Sequence, residues 1–170
     1  MTKPTVPPAL RRRNADNLRR RLDPDPDPVM IGTLSRAARY GGSSKHKRNP
    51  AAFGLPPVNG ARGDATLCDE HAGFTPDMMH MIPRLLQRGI NAGLVGQAGR
   101  ILWTVGDDGW IYEARITNTE QHEYHGYPVR PAEPIAELVH RRFAVWAGQH
   151  GEDQDRAAER RCRDLYGFAP

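Results

Sequence analysis

Two runs rich in β-branched and aromatic residues, Arg100–Val105 and Trp110–Thr117, are separated by Gly106-Asp107-Asp108-Gly109. Alternating runs joined by so short a Gly- and Asp-bearing turn predict an antiparallel hairpin, and an isolated hairpin is not stable until its apolar face is covered. In the second run Ile111, Glu113, Arg115 and Thr117 share one face, and Trp110, Tyr112, Ala114 and Ile116 share the other. This alternation predicts one apolar face and one that carries charge. A third strand is expected near Tyr124–Val129. The segment 135–147 places Ile135, Leu138, Val139, Phe143 and Trp146 at helical spacing. Upstream, Thr75-Pro76-Asp77 reads as the start of a helix whose inner face holds Met78, Ile82, Leu85 and Leu86, with Pro83 expected to kink it or split it in two. The pattern predicts an α+β fold: a helix packed on a small antiparallel sheet, flanked by a basic N-terminal arm and C-terminal helices.

The chain has 170 residues, enough for one domain, yet only 38% are apolar and 32 are Gly or Pro, so part of it is expected to be tail. Asp23-Pro-Asp-Pro-Asp-Pro28 reads as a stiff extended linker. It sets the expected divisions: 1–28 as basic arm and linker, 29–150 as the α+β domain, 151–170 as a charged helix with little to bury. A short helix is expected over Met30–Arg39, followed by a cationic loop, and irregular backbone over Phe53–Ala65. No window approaches ~18 consecutive apolar residues, which argues against a membrane span. The two cysteines, Cys68 and Cys162, form no disulfide framework, and a reducing cytoplasm is the expected location.

Charge is unevenly spread. Residues 1–48 hold 12 Lys and Arg against 4 Asp, whereas 49–170 hold 12 basic against 16 acidic residues. The arginines Arg11, Arg12, Arg13, Arg19, Arg20 and Arg21 would suit a polyanion, since each cation set on a phosphate releases counterions. A solvated tail has the same composition. Within Ser43-Ser44-Lys45-His46-Lys47-Arg48, a histidine titrating near neutrality lies among cations. Such a group suits proton transfer at a phosphodiester, with Lys and Arg neutralising the growing charge and lowering the imidazole pKa. An inert basic loop is the plainer alternative. A second group, His122, Tyr124, His125 and Tyr127, offers another proton-transfer side chain and rings able to stack on bases, or the covering of a sheet edge. Cys68, His71 and His80 resemble half of a zinc site whose second pair is missing. No metal or other cofactor is expected. No phosphate-cradling Gly-rich loop or motif-placed carboxylate pair is visible.

Lys45-His46 with Phe53-Gly54 beyond it, an intervening helix, Trp103–Val105 and the strand end Ala114-Arg115-Ile116-Thr117-Asn118 together resemble the colicin D-like ribonuclease toxin domains of the wider barnase, colicin and RelE-like group. The likeness covers residues 43–129. The loop between Leu55 and Thr75 and the residues after Val129 depart from that pattern. The resemblance implies a helix packed on an antiparallel sheet and metal-independent cleavage of RNA, with tRNA the expected substrate. It makes His46 the general acid or base, Lys45 and Lys47 phosphate-neutralising groups and Arg115 a further cation; from the residues themselves, His125 is the second proton-transfer candidate and Arg48, Tyr124 and Tyr127 are expected on the RNA. It also implies an inhibitory antitoxin or immunity protein, or activation during infection. The alternative is a non-catalytic module docking on nucleic acid or ribonucleoprotein through the basic arm.

Overall fold

The structure, a computed structural model, describes residues 20–58 and 65–170. The expected hairpin is its centre. Strands β3 (Ile101–Val105) and β4 (Ile111–Asn118) pair antiparallel, with Ile101 opposite Arg115 and Val105 opposite Ile111. The turn closes with the Gly106 N–H donating to the Trp110 carbonyl, and Gly109 takes φ +91°, a left-handed conformation that a side chain disfavours. Asp108 braces the turn by accepting from the Trp110 N–H and the Tyr112 hydroxyl.

Strand β5 (Glu123–Pro128) joins β4 antiparallel, with a register shift between Ile116 and Asn118. Two two-residue strands complete the sheet: β2 (Val95–Gly96) antiparallel to β3, and β1 (Arg39–Tyr40) parallel to β5. The order is β1-β5-β4-β3-β2, so the fold is α+β as expected, with a mixed sheet rather than a wholly antiparallel one.

Five α-helices are present among the described residues: α1 (Pro28–Ala37), α2 (Cys68–His71), α3 (Ile82–Asn91), α4 (Pro134–Gln149) and α5 (Asp153–Tyr166). Pro83 does split its helix, since residues Pro76–Met81 form a 3-10 segment and α3 begins at Ile82. The sheet is covered on both faces. On one, Ile101, Trp103, Val105 and Ile111 pack against Val139 and Phe143 of α4 and Ala158 and Cys162 of α5. On the other, Leu102 and Tyr124 pack against Leu34 of α1 and Leu86 and Ile90 of α3. Helix α3 lies close against β3 at Gly89, where an added Cβ would strike the Trp103 carbonyl oxygen.

Two expectations are corrected. Helix α5 is an integral part of the core: Ala158, Cys162 and Tyr166 are buried, and Asp155 accepts from Arg88 of α3 at 2.7 Å. The Asp-Pro segment is pinned to the domain, with the Asp23 N–H donating to the Val95 carbonyl, the Asp23 carbonyl accepting from Arg142, and Asp27 capping α1. The face of β4 expected to carry charge does so, through the ion pair of Glu113 with Arg115, and Glu113 is fully buried there. No helix of the described residues is long and apolar enough to cross a membrane.

Candidate active site

β1 covers β5 only at Glu123 and Tyr124. Beyond them the outer side of β5 meets the segment Ser43–Phe53 and α2, with the Cys68 thiol donating to the Gly126 carbonyl. A 3-10 turn over Ser44–His46 delivers His46 to the sheet face that carries Arg115, His125 and Tyr127. The His46 ring lies nearly parallel to that of His125, with centroids 5.6 Å apart, and stacks on Tyr127 at 4.5 Å. Residues separated by 79 positions thus converge on one patch.

The orientation of both imidazoles is fixed by their Nδ1 atoms. His46 Nδ1 lies 3.1 Å from the Thr66 carbonyl, which can only accept, so Nδ1 carries the proton and Nε2 keeps its lone pair. His125 Nδ1 is 2.8 Å from the Thr117 hydroxyl. Burial, and then the neighbouring His125, Lys47 and Lys45, depress the His46 pKa to about 4 despite the opposing Thr66 carbonyl. Burial and the nearby Arg115 and Lys45 lower that of His125 as well. His46 is therefore a neutral base at neutral pH.

Beneath the rings lies Glu113, the residue that the sequence reading left out of the site. One of its oxygens accepts from Arg20 Nε at 2.7 Å and from Trp103 Nε1 at 2.9 Å; the other accepts from Arg115 Nε at 2.8 Å and, in a short bond, from the Tyr127 hydroxyl. Burial alone would raise its pKa, but Arg20, Tyr127 and Arg115 hold it below the usual carboxylate range. Tyr127 is pushed up by burial and by Glu113, so it stays a hydroxyl donor. Arg115 spends only Nε on these contacts, and its side chain is one-third exposed. The signal was present in sequence as opposite charges two apart on one strand face.

The remaining expected site residues divide. Lys45 is exposed beside the histidines, and Arg48 is exposed and paired with Glu70. Lys47 turns the other way: it is 1% exposed, with Nζ 3.3 Å from the Tyr40 hydroxyl and 5.1 Å from the centre of Phe53. Burial works against its ammonium, and Cys68 and Tyr40 outweigh that effect, so its pKa lies above the ordinary lysine value. Tyr124 is fully buried, its hydroxyl donating to the Gly99 carbonyl, and offers no ring to a base. Arg20 is likewise interior, bridging Glu113 and Glu133 rather than lying on an exposed arm. Arg21 is exposed, and Arg11, Arg12, Arg13 and Arg19 lie outside the described residues.

Comparison with family models, curated proteins and solved structures found no match.

No group of three or more His, Cys, Asp or Glu side chains among the described residues is placed to hold a metal ion. Cys68 faces Gly126, His71 Nδ1 binds the backbone of Leu67, and His80 Nδ1 meets the Asp77 carbonyl, so the three do not converge. What does converge is two imidazoles with free Nε2 atoms, an arginine with a spare edge and an exposed lysine, a set suited to proton transfer at an anionic centre.

Proposed function

We propose that the chain is a metal-independent endoribonuclease acting on tRNA by attack of the 2′-hydroxyl. The observation that carries this reading is the stacked pair His46 and His125 beside Arg115 and Lys45. His46 Nε2 takes the proton of the 2′-hydroxyl, and that oxygen bonds to phosphorus. The bond from phosphorus to the 5′-oxygen breaks, leaving a 2′,3′-cyclic phosphate. His125, as imidazolium, gives its proton to the departing oxygen. Arg115 and Lys45 offset the charge that grows on the phosphorane.

Two depressed histidines fit this cycle with an acid-shifted optimum. The reaction needs His46 neutral and His125 protonated, which confines the rate maximum to the interval between their pKa values, below the ordinary 6.5. The bound phosphodiester, an anion against both rings, raises both values and moves the maximum back toward neutrality. Arg20 has a supporting role. By matching the charge of Glu113 it leaves the outer edge of Arg115 available to the substrate.

Total tRNA incubated in excess EDTA with wild type, His46→Ala and His125→Ala tests this reading. Fragments ending in cyclic phosphate from wild type alone support it; intact tRNA in every lane, or equal cleavage by the variants, refutes it. An activity of this kind acts in the cytoplasm and needs restraint. An acidic antitoxin or immunity protein covering Lys45, Arg48 and Arg115 is the partner that fits.

The excess of cations in residues 1–48 favours a second reading, a non-catalytic module that docks on RNA or ribonucleoprotein. It requires intact RNA and an affinity that falls steeply with salt, lost on deletion of residues 1–19.

A further inference from the structure

A cavity of about 170 Å³ lies between α1, the turn Gln97–Gly99 and the end of the hairpin β4–β5. Met30 and Leu34 of α1, with Ala98 and Ile116, give it an apolar floor. Arg100, Thr119 and His122 form its rim, and no carboxylate of the described residues lines it. The Thr33 hydroxyl, also on its wall, already donates to the Val29 carbonyl at 3.1 Å. By contrast, the side chains of Arg100, Thr119 and His122 make no hydrogen bond or ion pair with the described residues, and Arg100 and Thr119 are exposed. An apolar floor below a few uncommitted polar groups is the usual make-up of a ligand pocket.

The backbone is strained at the same place. Among the described residues, Gln97, Ala98 and His122 are the non-glycine positions with positive φ, at 50°, 53° and 49°. Side chains disfavour this left-handed region, and two such residues in succession, ahead of Gly99 at φ +92°, form a turn that a chain does not adopt unaided. It is held from outside: the Ala98 N–H donates to Asp23, and the His122 carbonyl accepts from the Arg39 N–H. Strain of this kind persists only where the surroundings enforce it, and it concentrates at binding sites. Here it sets Ala98 and His122 on the wall of one cavity.

We infer that this cavity is a subsite for a pyrimidine nucleotide of the RNA, with the base on Leu34, Ala98 and Ile116 and the phosphate on Arg100. The assignment rests on RNA being the substrate proposed above. An apolar cavity of about 150 Å³ accommodates benzene, so 170 Å³ takes one six-membered ring whose exocyclic groups face the open rim. The second ring of a purine has no room. The Thr119 hydroxyl and the His122 ring match the donors and acceptors on the edge of the base, and the Arg100 guanidinium offers paired donors to a phosphate. Arg115 and Ile116 are consecutive on β4 and face opposite sides, so the histidine patch and the cavity stand back to back at the end of the hairpin. An RNA strand that passes round residues 119–122 reaches both.

The test is an NMR titration of the full chain, in buffer free of phosphate, with uridine 5′-monophosphate, adenosine 5′-monophosphate and uridine. Expected are uridylate binding at least about tenfold tighter than adenylate, contacts from the uracil protons to the Leu34 and Ile116 methyl groups, and an affinity for uridylate in Arg100→Gln that falls to that for uridine. Equal affinity for the two nucleotides overturns the proposal, as do contacts confined to His125 and Tyr127 or no saturable binding below about 10 mM. The ratio of the two nucleotides needs only the wild-type chain, so it decides the matter even if the variant fails to fold. A mononucleotide holds no scissile diester, so binding is read apart from cleavage. Uridylate bound here beside intact tRNA refutes the ribonuclease alone, and cleaved tRNA without uridylate bound here refutes the subsite alone.

Discussion

His46 and Lys47 are adjacent in sequence and end on opposite faces of the same sheet edge, where they meet opposite conditions. His46 enters a partly buried polar patch in which its Nδ1 meets the Thr66 carbonyl and its ring stacks on Tyr127. Lys47 enters an apolar chamber in which its charge has no ionic partner among the described residues. The pair shows how a 3-10 turn at a sheet edge divides a cationic run: one side chain joins the rings of His125 and Tyr127, and the next is buried as an anchor for the loop that carries both.

Changes on the histidine face are expected to act on rate. His46→Ala and His125→Ala should each lower tRNA cleavage by about 10²- to 10⁴-fold, the range for a lost general acid or base. Melting temperatures should move little by comparison. Comparable loss from Lys47→Met with an unchanged melting temperature would break the contrast between the faces, since an anchor of the loop acts through stability.

Arg20→Gln should act on both stability and rate. Removing one partner of a buried ion pair costs about 3–5 kcal/mol, and Glu113 would then draw the charge of Arg115 inward, away from the phosphate. Denaturant melts together with the KM of cleavage measure the two parts. A stability loss with unchanged KM would remove Arg20 from the support of the site.

Tyr124→Phe is expected to cost about 1–2 kcal/mol, because it leaves the buried Gly99 carbonyl without its donor, while cleavage stays within about twofold of wild type. A large loss of RNA affinity in this variant would restore the stacking role that the sequence suggested for Tyr124.

The smallest effect is on pH dependence. The folded pKa of His46, about 4, lies below its ordinary 6.5. As pH falls through 6.5 the unfolded chain takes up a proton that the folded chain refuses, so stability declines between these values and flattens below about 4. In His46→Gln the melting temperature should decline less steeply over that window; an unchanged slope would contradict the depressed value.

Much of the fold was legible from pattern. The hairpin followed from alternation and Gly106–Gly109, α4 from the spacing of Ile135, Val139 and Phe143, and the break before α3 from Pro83. The edge strands β1 and β2 were not legible, since two residues carry no period and their pairing is set by whatever the tertiary fold brings alongside. In the site, His46, Lys45 and His125 could be nominated by chemistry, and Arg115 by the resemblance to the colicin D-like domains. The inward turn of Lys47 could not, because neighbouring residues in a loop have no fixed face. Glu113 and Arg20 escaped because their pairing spans 93 residues, and local composition makes Arg20 one more member of a basic arm.

That span also has a consequence for the order in which a nascent chain completes this patch. Arg20 leaves the ribosome 93 residues ahead of Glu113 and 113 ahead of Glu133, its two carboxylate partners. Until α4 has followed, Glu113 lacks the enclosure that aligns Arg115 and Tyr127, and the imidazoles lack a floor. A chain interrupted in translation before Glu133 therefore carries His46 and His125 without the buried ion pairs that underlie them.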